Sequence, residues 1–230
     1  MHVAIIMNGN GRWAMRRGLR PSAGYMEGAA ALRTAVELAL RAGIKTLTVY
    51  AVGCVDSRAS VEELDADLRV LGGYLRTEAR RCAEQAVRIT VIGNSKRLGA
   101  ALLRAHHQAD ESSIGTRSRL HLRIVIDYSE HDSVVRTSRS DNFEQRLSEV
   151  DRTALPAGAV DLLIRTGSAQ APMAGSRYRS DFMLWEVAYA RLHYADCLWP
   201  DFSAGHFQRA LGYSTPDEPG AMSRPVVRAS

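Results

Sequence analysis

The sequence predicts an α/β protein with a central, mostly parallel sheet flanked by helices. Short apolar runs rich in β-branched residues alternate along the chain with longer segments in which apolar residues recur at helical spacing. Strands that alternate with helices form right-handed βαβ units, which set neighbouring strands parallel to one another. The expected strands cover residues 3–7, 46–52, 88–92, 120–128 and 160–164.

The helices are predicted from apolar spacing and from signals at their ends. Gly43 is a typical C-cap for a helix over residues 24–42, and Ser60 with Glu63 forms a capping-box pattern. The apolar face of the first helix carries Leu32, Val36 and Leu40. Further helices are expected at residues 60–86, near residue 102, at 143–150 and at 181–191. We expect one domain over residues 1–212 and a flexible, proline-containing tail over 213–230.

Composition and charge favour a globular protein with an acidic ligand. Apolar residues make up 46% of the chain, and the formal net charge is +5. Such a charge suits diphosphates, nucleic acid or anionic lipid. The chain lacks the interleaved basic and aromatic residues of a nucleic-acid surface, so nucleic acid is not expected as a partner. No stretch is long enough to span a bilayer, which predicts a cytoplasmic protein with at most peripheral membrane contact.

The cysteines point to a reducing compartment. Cys54, Cys82 and Cys197 are odd in number and widely spaced. This pattern is typical of neither a disulfide framework nor a zinc site. We therefore expect buried, reduced thiols.

The turn after the first strand is the strongest candidate for a binding site. The apolar run stops at Asn8, and Gly9, Asn10 and Gly11 then lead to Arg12. In parallel sheets, ligands bind beyond the carboxyl ends of the strands, where backbone N–H groups can face an anion. Glycines allow close backbone approach, and an arginine offers a fork for a phosphate. Taken alone, the pattern favours a plain structural turn.

Several stretches together carry a family resemblance. They read VAIIMNGNGRWA at residues 3–14, DLLIRTG at 161–167, SDFMLW at 180–185 and LWPDF at 198–202. In this order they closely resemble the cis-prenyltransferases, the undecaprenyl diphosphate synthase family, which join isoprenyl diphosphates. The resemblance implies a hydrophobic tunnel between helices and sheet and a prenyl diphosphate substrate. It also implies a homodimer in which the C-terminal region, including Arg191, completes the neighbouring active site.

The resemblance also implies which residues bind the substrate diphosphate. The alignment with the family is ambiguous at Arg177 and Arg179. They flank Tyr178, which stands where the family has its arginine, and the loop before Ser180 is longer than in the family. For Arg20 a solvated surface role is as good an interpretation. The implied set is Gly9, Asn10, Gly11, Arg12, Arg20, Arg165, Arg177, Arg179, Ser180 and Arg191.

Two departures from the family fall on residues associated with its Mg²⁺. Asn8 stands where the family has Asp, and Arg191 stands where it usually has Glu. Together the changes make the charge of the site about three units more positive, against the two positive charges that Mg²⁺ would bring. We expect that Asn8 and Arg191 replace the metal and that no residue of this chain ligates one. The alternative is decay of an abandoned metal site.

Two further residues are catalytic candidates beside Asn8. Tyr25 replaces a family His; a phenol can hydrogen-bond a phosphate but is a poor base, with an ordinary pKa of about 10. Asp56 lies in a segment that handles isopentenyl diphosphate in the family and is almost entirely rewritten here. It could accept a proton near a carbocation, or it could be a solvated loop carboxylate.

The sequence therefore predicts an enzyme that ionises an allylic prenyl diphosphate. Because the segment for isopentenyl diphosphate is rewritten, irregular coupling of short prenyl units is favoured over ordinary chain elongation. Cyclisation of one prenyl diphosphate is the first alternative. The second is a catalytically silent binding subunit of a hetero-oligomeric cis-prenyltransferase.

Overall fold

A computed structural model describes residues 1–53, 70, 72–74, 77–78, 80–93, 118–128, 159–167, 187 and 189–212. Six strands run through the described residues: β1 (His2–Ile6), β2 (Thr46–Gly53), β3 (Val87–Gly93), β4 (Leu120–Tyr128), β5 (Leu162–Arg165) and β6 (Arg191–Tyr194). The helices among them include α1 (Asn10–Arg16), α2 (Pro21–Arg41) and α3 (Ala204–Leu211), and a 3₁₀ turn covers Trp199–Asp201. A further helix ends at residue 84.

The strands form one sheet in the order β3-β4-β2-β1-β5-β6, and every pair is parallel. This confirms the predicted α/β class. From β1 the strand order proceeds through β2 in one direction and through β5 in the other. Ile6 at the end of β1 is in register with Tyr50 of β2 and with Arg165 of β5. The turns after β1 and β5 therefore meet at one edge of the sheet, where ligands bind in folds of this class.

The face of α2 that packs on the sheet is the one predicted. Leu32 and Val36 are buried, and Leu40 is partly buried. Gly43 has a φ of +68°, directly after the C-cap residue Ala42. Short α1 is absent from the prediction, because two of its first residues, Asn10 and Gly11, are poor helix formers and indicate a turn.

Of two predicted helix ends, one is wrong. The helix expected to run to about residue 86 ends at residue 84, close to the prediction, and Ala86 has a φ of +56°. The helix expected over residues 181–191 does not reach its predicted end, because Arg191 starts the edge strand β6 and pairs with Leu162. Four residues at a sheet edge give too short an alternation to be distinguished from helical spacing. Tyr189 and Leu192, two apolar residues of this region, are 96% and 55% exposed, so neither lies in the core of this chain.

The helix that ends at residue 84 is tied to α2 by charge. Glu78 is buried and forms ion pairs with Arg33 of α2 and with Arg81. Arg81 also pairs with Glu37 of α2. These ion pairs hold this helix against α2. Tyr74, which precedes Glu78 in the chain, lines the cavity described below.

The described cysteines agree with the expectation of buried thiols. Cys82 and Cys197 are free and buried, and burial raises the pKa of each to about 11. Cys54 and the tail over 213–230 lie outside the described residues. In the part of the chain that is described, no helix has the length and apolarity to cross a bilayer.

Candidate active site

The turn after β1 is built on a glycine. The N–H of Asn8 donates to the carbonyl of Ile6 at 3.0 Å, and Gly9 then has a φ of +116°. A Cβ on Gly9 would lie 2.7 Å from Cδ2 of Leu198. Glycine is required here both by the backbone conformation and by the close approach of Leu198. Because Gly9 reverses the chain so tightly, α1 begins at the very next residue.

Hydrogen bonds join this turn to the segments that follow β5 and β6. The carbonyl of Asn8 accepts from Oγ1 of Thr166 at 2.9 Å and from the N–H of Trp199 at 3.0 Å. The N–H of Gly167 donates to the carbonyl of Cys197 at 2.7 Å. The loops after β1, β5 and β6 are therefore held as one unit. Sequence reasoning missed Thr166, whose only signal is its place beside Arg165.

Arg12 and Arg165 lie near each other at this edge of the sheet. Nη2 of Arg12 lies 2.6 Å from where a Cβ on Gly167 would stand. Burial, and after it the positive charges of Arg16 and Arg165, lower the pKa of Arg12. Among the residues that the structure describes, the buried Nε of Arg165 has no hydrogen-bond partner. Among the described residues, neither Arg12 nor Arg165 pairs with a carboxylate. Unpaired, partly buried cations of this kind favour an anionic ligand.

The first residue of α1 packs directly against α2. A Cβ on Gly24 would lie 2.7 Å from the carbonyl carbon of Asn10, and one on Gly28 would lie 2.5 Å from Oδ1 of Asn10. Gly24 and Gly28 are one helical turn apart and so share a face of α2. This spacing is the signal by which sequence reasoning could have found the contact. Both glycines are required by the close approach of Asn10.

An apolar cavity of about 40 Å³ lies next to this contact. Its wall is held in part by Trp199, whose Nε1 donates to the carbonyl of Gly28 at 2.8 Å. Sequence reasoning placed Tyr25 near the site but missed Gly28 and the role of Trp199 as a wall. The cavity is lined by Met7, Asn10, Tyr25, Gly28, Ala29, Leu32, Ala51, Val70, Tyr74 and Trp199.

The other predicted diphosphate ligands fall into three groups. Gly11 lies in α1, and a Cβ there would meet no atom within 4 Å, so the space beside it is free among the described residues. Arg20 is the exposed N-cap residue of α2. The predicted site residues Asp56, Arg177, Arg179 and Ser180 lie outside the described residues.

Arg191 lies at the start of β6, whereas Asn8 follows the end of β1, so the two residues lie at opposite ends of the parallel strands. Arg191 is in register with Leu162 at the start of β5, whereas Arg165 ends that strand. Nη2 of Arg191 donates to the carbonyl of Ala210 in α3 at 2.7 Å. One chain therefore does not bring Arg191 and Asn8 together, and a diphosphate role for Arg191 stays a prediction that requires a second subunit.

The described residues around the first turn do not fit a protein-held Mg²⁺, on which the family generally depends. Mg²⁺ prefers carboxylate oxygens, but Asn8 offers only amide or carbonyl oxygen, and Arg12 and Arg165 are the charged neighbours. The carboxylate of Asp201 accepts from Nε1 of Trp13 at 2.7 Å and from Arg17 at 3.3 Å. In the part of the chain that is described, no group of three His, Cys, Asp or Glu side chains could hold a metal.

The all-parallel sheet and its flanking helices define the class, an α/β protein, and comparison with known proteins defines the family. The chain matches the family model described as undecaprenyl diphosphate synthase over residues 6–215. It is 39% identical over 216 residues to isoprenyl transferase 1 of Bradyrhizobium diazoefficiens, covering 92% of this chain and 85% of that protein. It is 31% identical over 222 residues to the farnesyl-diphosphate-specific ditrans,polycis-undecaprenyl-diphosphate synthase of Haemophilus ducreyi, covering 91% and 88%.

The fold also matches a solved structure. That structure is lavandulyl diphosphate synthase from Lavandula x intermedia in complex with dimethylallyl diphosphate. The TM-score is 0.76 at 24% identity, and the match covers 92% of this chain and 93% of that one. The chain belongs to the undecaprenyl diphosphate synthase family, the cis-prenyltransferases, and is a prenyltransferase enzyme.

Proposed function

We propose that this enzyme binds an allylic prenyl diphosphate at Arg12 and Arg165 and uses it for irregular coupling of short prenyl units. The observation that carries the proposal is the pair of uncompensated arginines beside an apolar cavity. A prenyl diphosphate has the matching chemistry, since an anionic head is joined to a hydrocarbon tail. The relatives named as isoprenyl transferases support the same substrate class.

Different residues act on the diphosphate and on the hydrocarbon end of the substrate. Arg12 and Arg165 hold the diphosphate, and their charge stabilises it as the bond from the allylic carbon to oxygen breaks and the electron pair leaves with the diphosphate. The apolar wall around Trp199 and Leu32 keeps water from the allylic cation. Tyr25 lies in the same wall, where its hydroxyl can contact the substrate head.

The rewritten segment around Asp56 supports a reaction other than regular elongation. Cyclisation of one prenyl diphosphate uses the same head and cavity and is the alternative reaction. The other alternative is a silent binding subunit, which would hold the diphosphate without breaking its bond.

We further propose that arginines take the place of Mg²⁺. Purified protein incubated with dimethylallyl, geranyl and farnesyl diphosphates, singly and in pairs, is expected to release diphosphate in EDTA as fast as with added Mg²⁺. Asn8→Asp is the matched variant: its added negative charge faces the bound diphosphate, so binding should weaken and Mg²⁺ should restore it.

The products separate the alternatives. A product with two prenyl units and one diphosphate indicates coupling, and a cyclic product indicates cyclisation. Release of diphosphate only with a second polypeptide would favour the silent subunit. An absolute need of the wild-type protein for Mg²⁺ would refute the replacement of the metal.

We also propose that two copies of the chain associate through the β6 edge. β6 is the outermost strand of the sheet, and apolar side chains are exposed at this edge. Tyr189, Leu192 and Tyr194 are 96%, 55% and 59% exposed. Exposed apolar residues grouped at a sheet edge are typical of an interface. Association here would bring Arg191 of one copy to the neighbouring copy. Separately, we propose that the protein is cytoplasmic.

Replacing Leu192 and Tyr194 together by glutamate is expected to convert a dimer into a monomer of 25.3 kDa. Charges in an apolar interface lose their hydration, which makes association unfavourable. Sedimentation analysis measures the mass directly. Met26→Glu is the control, because Met26 is 65% exposed but lies on α2, away from the edge strand. A wild-type protein that sediments as a monomer would contradict the proposal.

A further inference from the structure

Asn10 lines the apolar cavity, and its buried side-chain oxygen, Oδ1, has no hydrogen-bond donor among the described residues. Met7, Tyr25 and Trp199 line the same cavity. Buried polar atoms in proteins are nearly always paired, so an unpaired oxygen beside a cavity calls for a functional account.

The position of this oxygen is set by its neighbours. The carbonyl of Asn10 lies against Gly24, and Oδ1 lies against Gly28. Cδ1 of Trp199 stands 3.0 Å from the same Gly28 position. The Asn10 side chain therefore packs closely against α2, at the position that Trp199 also approaches. Its dipole is fixed before any substrate arrives, which is the condition for electrostatic stabilisation without reorganisation.

The diphosphate cannot satisfy this atom. A carbonyl oxygen only accepts hydrogen bonds, and ionised diphosphate oxygens also only accept them. The predicted role of Asn10 in diphosphate binding therefore cannot involve Oδ1. What the oxygen can stabilise is positive charge, and in a cavity of low polarity that attraction is stronger than it would be in water.

We propose that Oδ1 of Asn10 stabilises the positive charge that develops on the allylic carbons. This inference rests on the proposed function. As the bond between the allylic carbon and oxygen breaks, its electron pair leaves with the diphosphate towards Arg12 and Arg165. The carbon skeleton is left with one positive charge, which faces the negative end of the Asn10 carbonyl dipole. Arginines and amide thus act on opposite ends of the same breaking bond, and Asn10 is a catalytic residue.

Two unreactive ligands separate this role from ground-state binding. The thiolodiphosphate of dimethylallyl alcohol carries the diphosphate and an uncharged tail. An ammonium analogue of the allylic cation, given with inorganic pyrophosphate, carries the charge pair of the transition state. In Asn10→Leu, which keeps the approximate size of the side chain but removes the carbonyl, affinity for the ammonium analogue is expected to fall by about ten-fold or more. Affinity for the thiolodiphosphate, whose tail carries no positive charge, should fall much less.

Calorimetric titration of both ligands, with thermal unfolding as a check on folding, gives the answer. Asn10→Asp keeps the oxygen and adds charge, so it should bind the ammonium analogue at least as tightly as the wild type; it carries the test if Asn10→Leu does not fold. Gln208→Leu, which removes an exposed amide on α3, is the control. An equal change for both ligands, or no change, would overturn the role of Asn10. A wild-type protein that binds neither ligand would instead overturn the proposed function.

Discussion

Replacing both Arg12 and Arg165 by glutamine is expected to weaken binding of dimethylallyl diphosphate by about a thousand-fold. A hydrogen bond to a charged group contributes about 1.5–3 kcal/mol, and each arginine offers at least one to the diphosphate. Each single variant should therefore lose about ten- to hundred-fold in affinity. The double variant should lose nearly the product of the two, unless the arginines act on the same phosphate oxygens.

The same variants should not lose stability. Burial and the charges of Arg16 and Arg165 lower the pKa of Arg12, so the folded protein holds this guanidinium charged at a cost. That cost is present throughout the physiological pH range, because Arg12 remains protonated there. Removing the charge should leave the melting temperature of the free protein unchanged or higher. An arginine that only stabilises the fold would show the reverse.

Calorimetric titration and thermal unfolding measure the two effects separately. Arg41→Gln is the matched control, since Arg41 is an exposed arginine at the far end of α2. Arg165→Lys retains the charge but loses the planar fork, and it should recover only part of the affinity. Binding by the double variant as tight as that of the wild type would contradict the proposed site.

Gly24→Ala is expected to lower the free energy of unfolding by about 3 kcal/mol. The added Cβ would stand 2.7 Å from the carbonyl carbon of Asn10 and inside contact with its carbonyl oxygen. The obstacle is backbone at the start of α1, which is joined to the tight turn at Gly9, so it cannot move aside as a flexible side chain can. Displacing α1 would also shift Arg12, so diphosphate binding should be lost with the stability.

Denaturant unfolding followed by circular dichroism measures the effect. Gly11→Ala is the control for stability, because a Cβ there meets no atom within 4 Å. Alanine is also a better helix former than glycine by about 1 kcal/mol, so this variant should be as stable as the wild type or more so. A change in Gly24→Ala of less than about 0.5 kcal/mol, the usual range for surface substitutions, would show that α1 does not pack on α2 as described.

Elements with strong local signals could be predicted from the sequence. The strands near residues 46–52 and 120–128 and the buried face of α2 are each long enough to show their period. The end of the predicted helix at 181–191 could not be predicted, because β6 is defined by pairing with β5 rather than by its own four residues. Short α1 was hidden for a related reason, since its first residues indicate a turn and its packing on Gly24 and Gly28 forms only in the folded chain.

For the site, the sequence by itself determined the family, the glycine turn after β1 and the identity of Arg12 and Arg165 as candidates, because these are properties of contiguous motifs. Only the tertiary structure decided how they combine. Thr166 and Trp199 join the turn to the segments after β5 and β6, and the buried Oδ1 of Asn10 has no hydrogen-bond partner within the described part of the chain. The sequence aligns Arg191 with a site residue of the family. Within one chain, however, Arg191 lies at the start of β6, away from the carboxyl ends of the strands where Asn8 lies. The physical reason is that distances between strand ends depend on sheet register and helix packing, which arise from contacts far apart in sequence.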